Sequence, residues 1–196
     1  MAQYTRSEDI VFIDTEVNPS DNRVEDIGAV RTQLPVLSAD GMQFHSASLG
    51  EFEQFIKNTT YICGHNIIKF DLKYIFSVIE SAGAKSVIDT LYLSPLLFPY
   101  KPYHKLLKDD KIQSDDLNSP LNDARKAMEL FMDEVSAFGS LDISMKKIYC
   151  TLLEMKPQFR GFFRYGNFHE KVPDIAAYIC QKSGRRIRSR RKFFCR

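Results

Sequence analysis

The sequence predicts an α/β domain, a mixed sheet with helices packed on its faces. Three observations predict it. Short β-branched apolar runs, beginning with "IVFI" at 10–13, come early and close together. From residue 49 onward, stretches with helical spacing alternate with further short apolar runs. The resulting order, β-β-β-α-β-α-β-α-α, is a meander followed by alternation, which a mixed sheet covered by helices accommodates.

"IVFI" (10–13) has the continuous apolar character of a buried central strand. The turn residues of "NPSDNRVED" separate it from "IGAVRT" (27–32), so the two form a hairpin. "GMQFHSA" (41–47) is a third strand. "LGEFEQFIKN" (49–58) is apolar at 49, 52, 55 and 56, a helical pattern, and "TTYICGHN" (59–66) is a strand ending near Gly64. "DLKYIFSVIESAGA" (71–84) is apolar at 72, 75, 76, 79 and 82, a helix with Gly83 as its stop. "KSVIDTLYLSPLL" starts as a strand and passes into a helix near Asp89. The clearest helix is 118–135, with Ser119 as N-cap, Pro120 at the first helical position and a stripe at 121, 124, 128, 131 and 135. Another helix covers 141–155. Beyond it, "FRGFFRYGNFH" (159–169) interleaves Arg with aromatics. That suits single-strand binding by stacking; a packed amphipathic segment is the favoured reading.

With 196 residues, 44% of them hydrophobic, the chain suits one globular domain. No apolar run approaches the roughly 18 residues of a spanning helix, and "MAQYTRSEDI" lacks the apolar core of a secretory signal. A membrane partner is not expected. Cysteines 63, 150, 180 and 195 show neither a CxxC pair nor a framework spacing. They read as reduced thiols of a cytoplasmic protein. Charge is uneven. Residues 182–196 hold eight Lys or Arg and no acid, leaving the other 181 residues at −6 (19 Lys and Arg against 25 Asp and Glu). Such a tail either grips phosphates or is a disordered end. Its abrupt close suggests the front piece of something longer.

Three segments place acids where core elements should be apolar: Asp14 and Glu16 at the end of the first strand, Asp71 at the opening of a helix, and Asp123 in the first turns of the clearest helix. Alternate residues of a strand share a face, so Asp14 and Glu16 point the same way. Buried acids crowded together repel and are desolvated. A hard divalent cation, Mg²⁺ or Mn²⁺, relieves both costs. Two such ions roughly 3.5–4 Å apart clamp the attacking and leaving oxygens of a phosphodiester. Singly, each acid also suits an ordinary turn, cap or helix-start position.

The three motifs resemble those of the DEDD superfamily of 3′–5′ exonucleases, the DnaQ-like group. Asp14-Thr15-Glu16 matches the first motif, the N-x-x-x-F-D signature appears as Asn66 to Asp71, and Asp123 in "NDARKAMELF" matches the third. "VIDTLYLS", with Asp89, resembles the segment between the second and third motifs. The resemblance covers roughly 8–138. It implies a ribonuclease H-like fold with a five-stranded mixed sheet: an exonuclease domain at 1–140, a helical extension at 141–181 and the basic tail at 182–196. It implies two Mg²⁺ or Mn²⁺ held by Asp14, Glu16, Asp71 and Asp123. Thr15 and Val17 would lie beside the terminal nucleotide, Asn66 would serve substrate binding, His65 either joins it there or, the favoured reading, fixes a turn through hydrogen bonds, and Phe70 would pack in the core. The implied substrate is a single-stranded 3′ end, DNA ahead of RNA, in repair or replication, in a chain fused to or partnered with a helicase or polymerase. One departure stands out. The general-base His or Tyr of the family falls at Asn118 or Ser119 here, and a general base contributes about 10²–10⁴ in rate. Either the ions suffice at a slower rate, or His104 or His65 substitutes, or the site binds nucleic acid with little turnover.

Overall fold

Strand β1 (Glu8–Val17) is the axis of the sheet. The computed structural model describes residues 8–34, 39–45, 48–84, 86–106 and 119–182. Ile10, Val11, Phe12 and Ile13 are all fully buried, as a strand covered on both faces must be. β1 pairs antiparallel with β2 (Val24–Leu34), and β2 antiparallel with β3 (Ala39–His45). On its other edge β1 runs parallel to β4 (Tyr61–Gly64), which runs parallel to β5 (Ser86–Asp89). The order β3-β2-β1-β4-β5 makes a mixed five-stranded sheet. Flanked by helices, it is the architecture expected from the sequence and is compatible with the ribonuclease H-like fold.

The sheet separates two apolar layers. Val11 and Ile13 pack with Phe52 and Ile56 of α1 (Leu49–Ile56) and Ile75 and Ile79 of α2 (Leu72–Ser81). Ile10 and Phe12 face the other way. They pack with Leu93 of α3 (Thr90–Leu97), Ala124 and Phe131 of α4 (Pro120–Ser140), Cys150 of α5 (Ile143–Leu153) and Phe162 of α6 (Pro157–Tyr165). The alternation of β1 therefore fixes which layer each residue after Ile13 faces.

Two details differ from the expectations and two fill them in. α4 runs to Ser140, five residues beyond the predicted end. Ser119 is its N-cap residue, but the hydroxyl makes no capping bond and reaches Gln43 Oε1 on β3, 3.4 Å away. The 141–181 region is helical, with a further helical stretch at 175–182, yet it shares the core of the sheet rather than forming its own. Finally, the aromatics of 159–169 are packed, as the favoured reading has them, and not presented to solvent. Phe162 and Phe163 are buried, and Phe162 meets Phe138 edge-on with centroids 5.2 Å apart. Arg164 donates to Ser86 Oγ at 2.9 Å. Asn118 and the basic residues beyond 182 lie outside the described residues. Among the described residues, no helix is long and apolar enough to cross a membrane.

Candidate active site

The parity of β1 carries Asp14 and Glu16 onto the face of Ile10 and Phe12, toward α4. Both acids are half-buried. Asp14 lies opposite Gly28 of β2, and Glu16 opposite Asp26, after which the register shifts. Gly28 is what admits α4. A Cβ there would fall 2.1 Å from the Leu121 nitrogen and the Pro120 carbonyl carbon. The first turn of α4 thus rests on bare backbone beside Asp14, and that turn carries Asp123. Asp123 has 17% of its side chain exposed and lies 3.5 Å from Lys126 Nζ. Like charges directly across a strand pair repel. Asp26, facing Glu16, accepts a hydrogen bond from Gln43 Nε2 at 3.3 Å and meets His45 Nδ1. His45, which the sequence linked to nothing, reaches this face through the Asp26–His45 register of β2 and β3.

Asp71 arrives at the same end of the sheet by another route. The loop after β4 turns at Asn66, whose φ of +67° is a conformation Asn tolerates better than most residues. Its carbonyl accepts from the Lys69 and Phe70 amides at 3.1 and 3.0 Å. Asp71 is the N-cap residue of α2, but its side chain does not cap the helix. It turns back to β1 and accepts from the Thr15 amide at 2.9 Å and the Thr15 hydroxyl at 2.7 Å. β4 stops at Gly64, so Asp71 supplies the acceptor that a longer β4 would have offered. Burial pushes its carboxyl up to about 6, against the opposing pull of the Thr15 bonds.

Asp89, at the end of β5, holds the loop from the other side. It is fully buried and accepts from the amides of Asn66 at 2.9 Å, Ile68 at 3.1 Å and Leu91 at 3.0 Å. Desolvation raises its pKa while those three amides lower it. His65 shares a hydrogen bond between Nδ1 and Thr90 Oγ1 at 2.8 Å, and its buried Nε2 has no partner in hydrogen-bond geometry among the described residues. Burial lowers its pKa to about 4, opposed by the main chain of His104 and the charge of Asp123. His65 is therefore neutral at pH 7 and lies within electrostatic reach of Asp123. His104 shares a hydrogen bond between Nδ1 and Ser94 Oγ at 2.9 Å.

All four acids singled out in the sequence thus gather at one end of the sheet. Asp14, Glu16 and Asp123 belong to the α4 face; Asp71 sits at the β4 edge of β1, engaged by Thr15. Thr15, expected beside a nucleotide, is buried, and both its donors are taken up by Asp71. Val17 is half-buried just past the register shift. Phe70, expected in the core, is 41% exposed and touches Tyr74 edge-on, because the turn before α2 projects it outward. Among the described residues, no three His, Cys, Asp or Glu side chains stand close enough together to hold a metal ion. In donor chemistry alone the set suits a hard divalent cation, since every candidate ligand is a carboxylate. Compared with protein-family models, curated proteins and solved structures, the chain has no match.

Proposed function

We propose that this protein is a metal-dependent 3′–5′ exonuclease that hydrolyses terminal phosphodiester bonds of single-stranded nucleic acid, DNA favoured, releasing nucleoside 5′-monophosphates. One observation supports the reading: acids from three separate segments are carried to the end of the sheet where β1 stops, Asp14, Glu16 and Asp123 on the α4 face and Asp71 at the β4 edge. Asp14, Glu16, Asp71 and Asp123 would hold two Mg²⁺ or Mn²⁺. When bound, the ions supply charge neutralisation at the scissile phosphate and activation of the attacking water. Thr15 keeps Asp71 oriented. Asp89 fixes the loop that presents Asn66 near the 3′ terminus. His65, neutral and with a pKa near 4, is too weak a base to match a proton transfer at neutral pH; its part is to accept or donate a hydrogen bond at Nε2. Repair or replication, within or beside a helicase or polymerase, is the setting that the resemblance implies.

A second reading is a nucleic-acid-binding module of this fold with little turnover. Asn118 in the general-base position favours it, as does the engagement of Asp71 by Thr15. A 3′-labelled single strand with Mn²⁺ separates the two. Wild type should release labelled mononucleotide, and Asp14→Ala should lower the rate at least about 100-fold, on the scale of losing a transition-state charge partner. Equal background in both proteins would remove the enzyme and leave the binding module.

A further inference from the structure

The segment "FPYKPYHK" (98–105) follows α3 and carries two large aromatic rings that the fold does not use. Tyr100 is 99% exposed and Tyr103 77% exposed. A single exposed aromatic is ordinary. Two of them three residues apart, alternating with the exposed cations Lys101 and Lys105, form a strip of one chemistry. The strip is fastened rather than loose. The Lys101 amide donates to the Phe98 carbonyl at 3.0 Å, and Lys101 Nζ lies 4.2 Å from the Phe98 ring centroid. His104 is tied through Nδ1 to Ser94 Oγ, and Ser94 is buried. The main chain of His104 also acts on His65, which in turn feels the charge of Asp123. His65 is hydrogen-bonded to Thr90 and His104 to Ser94, one turn apart on α3, so the strip leaves α3 on the side that holds His65.

Exposed rings between cations match a single nucleic-acid strand, whose bases offer π faces to stack and whose phosphates need positive charge. They do not match the face that carries Asp14, Glu16 and Asp123, which would repel a phosphodiester chain outside the immediate site. We propose that residues 98–105 are the platform for the single-stranded stretch next to the terminal nucleotide, with Tyr100 and Tyr103 stacking bases and Lys101 and Lys105 contacting phosphates. The direction of the strand rests on the exonuclease reading; the binding does not.

The test is fluorescence anisotropy of a 5′-labelled ten-residue oligothymidylate with the full chain in EDTA, where no turnover occurs. Tyr100→Ala and Tyr103→Ala should each raise Kd about 5- to 100-fold, while Tyr100→Phe and Tyr103→Phe retain the wild-type Kd. Lys101→Ala and Lys105→Ala should each reduce the slope of log Kd against log salt by about 0.7. Circular dichroism establishes that each variant is folded. Alanine variants that bind like wild type, Phe variants as weak as the alanine ones, or a wild type that binds no oligonucleotide would each overturn the platform. Loss of nucleotide release in Asp14→Ala beside unaffected binding in the Tyr variants removes the platform and keeps the exonuclease. Tyrosine-dependent binding with no Asp14-dependent release does the reverse.

Discussion

Thr15 is the residue on which the position of Asp71 depends. It offers two donors to one buried carboxylate, through main chain and side chain. Thr15→Val keeps the shape and removes one of them. It should cost about 1–3 kcal/mol in urea denaturation, the penalty of an under-satisfied buried acid. Glu134 is the opposite case. It sits fully buried on α4, both carboxylate oxygens lack a hydrogen-bond partner among the described residues, and burial together with the charge of Asp89 pushes its pKa up to about 9. Asp133 adds to the rise and Lys101 opposes it. The native state therefore keeps a proton that the unfolded chain releases above about 4.5. This contribution to stability is full below that value, falls as pH rises toward 9, and levels off beyond, with a slope of at most about 1.4 kcal/mol per pH unit. Glu134→Leu should lack that decline, so its advantage over wild type in urea midpoint widens between pH 5 and pH 9. Neither residue carries a sequence signal: Thr15 reads as a neighbour of acids, Glu134 as one more charge on a helix.

At the scale of elements, two glycines set how helices meet strands. Gly28 lets α4 rest on β2, and Gly161 of α6 lies where a Cβ would be 2.1 Å from the Val87 carbonyl oxygen of β5. The obstacle is backbone in both cases, so it cannot rotate away. Gly161→Ala should destabilise by about 1–3 kcal/mol or more. Gly28→Ala should lower stability comparably and, by lifting the first turn of α4, displace Asp123 and reduce nucleotide release; thermal melts and the release assay read the two effects. The strands and α1 to α4 were legible because period-2 and period-3.6 patterns report burial directly. α6 was legible only in part: packing was the favoured reading of 159–169, but a segment that interleaves Arg with aromatics has no clear helical stripe. The exposed strip at 98–105, like 159–169, interleaves aromatics with cations. Only packing distinguishes them, and packing is a long-range property.

For the molecule as a whole, the mixed five-stranded sheet was accessible from the chain, and so was the placing of acids at a strand end and at helix starts; the strand order was not. Nor was the finer arrangement. That Asp71 leans on Thr15 rather than capping α2, and that His45 joins the acid face, depend on register and loop length, which a linear pattern does not encode. Asp89 shows what such hidden ties entail. Three amides converge on one carboxylate, two from the turn before α2 and one from the first turn of α3. Losing the side chain would leave all three amides without their acceptor, so the loop bearing Asn66 and the helix leading to Tyr100 share one anchor.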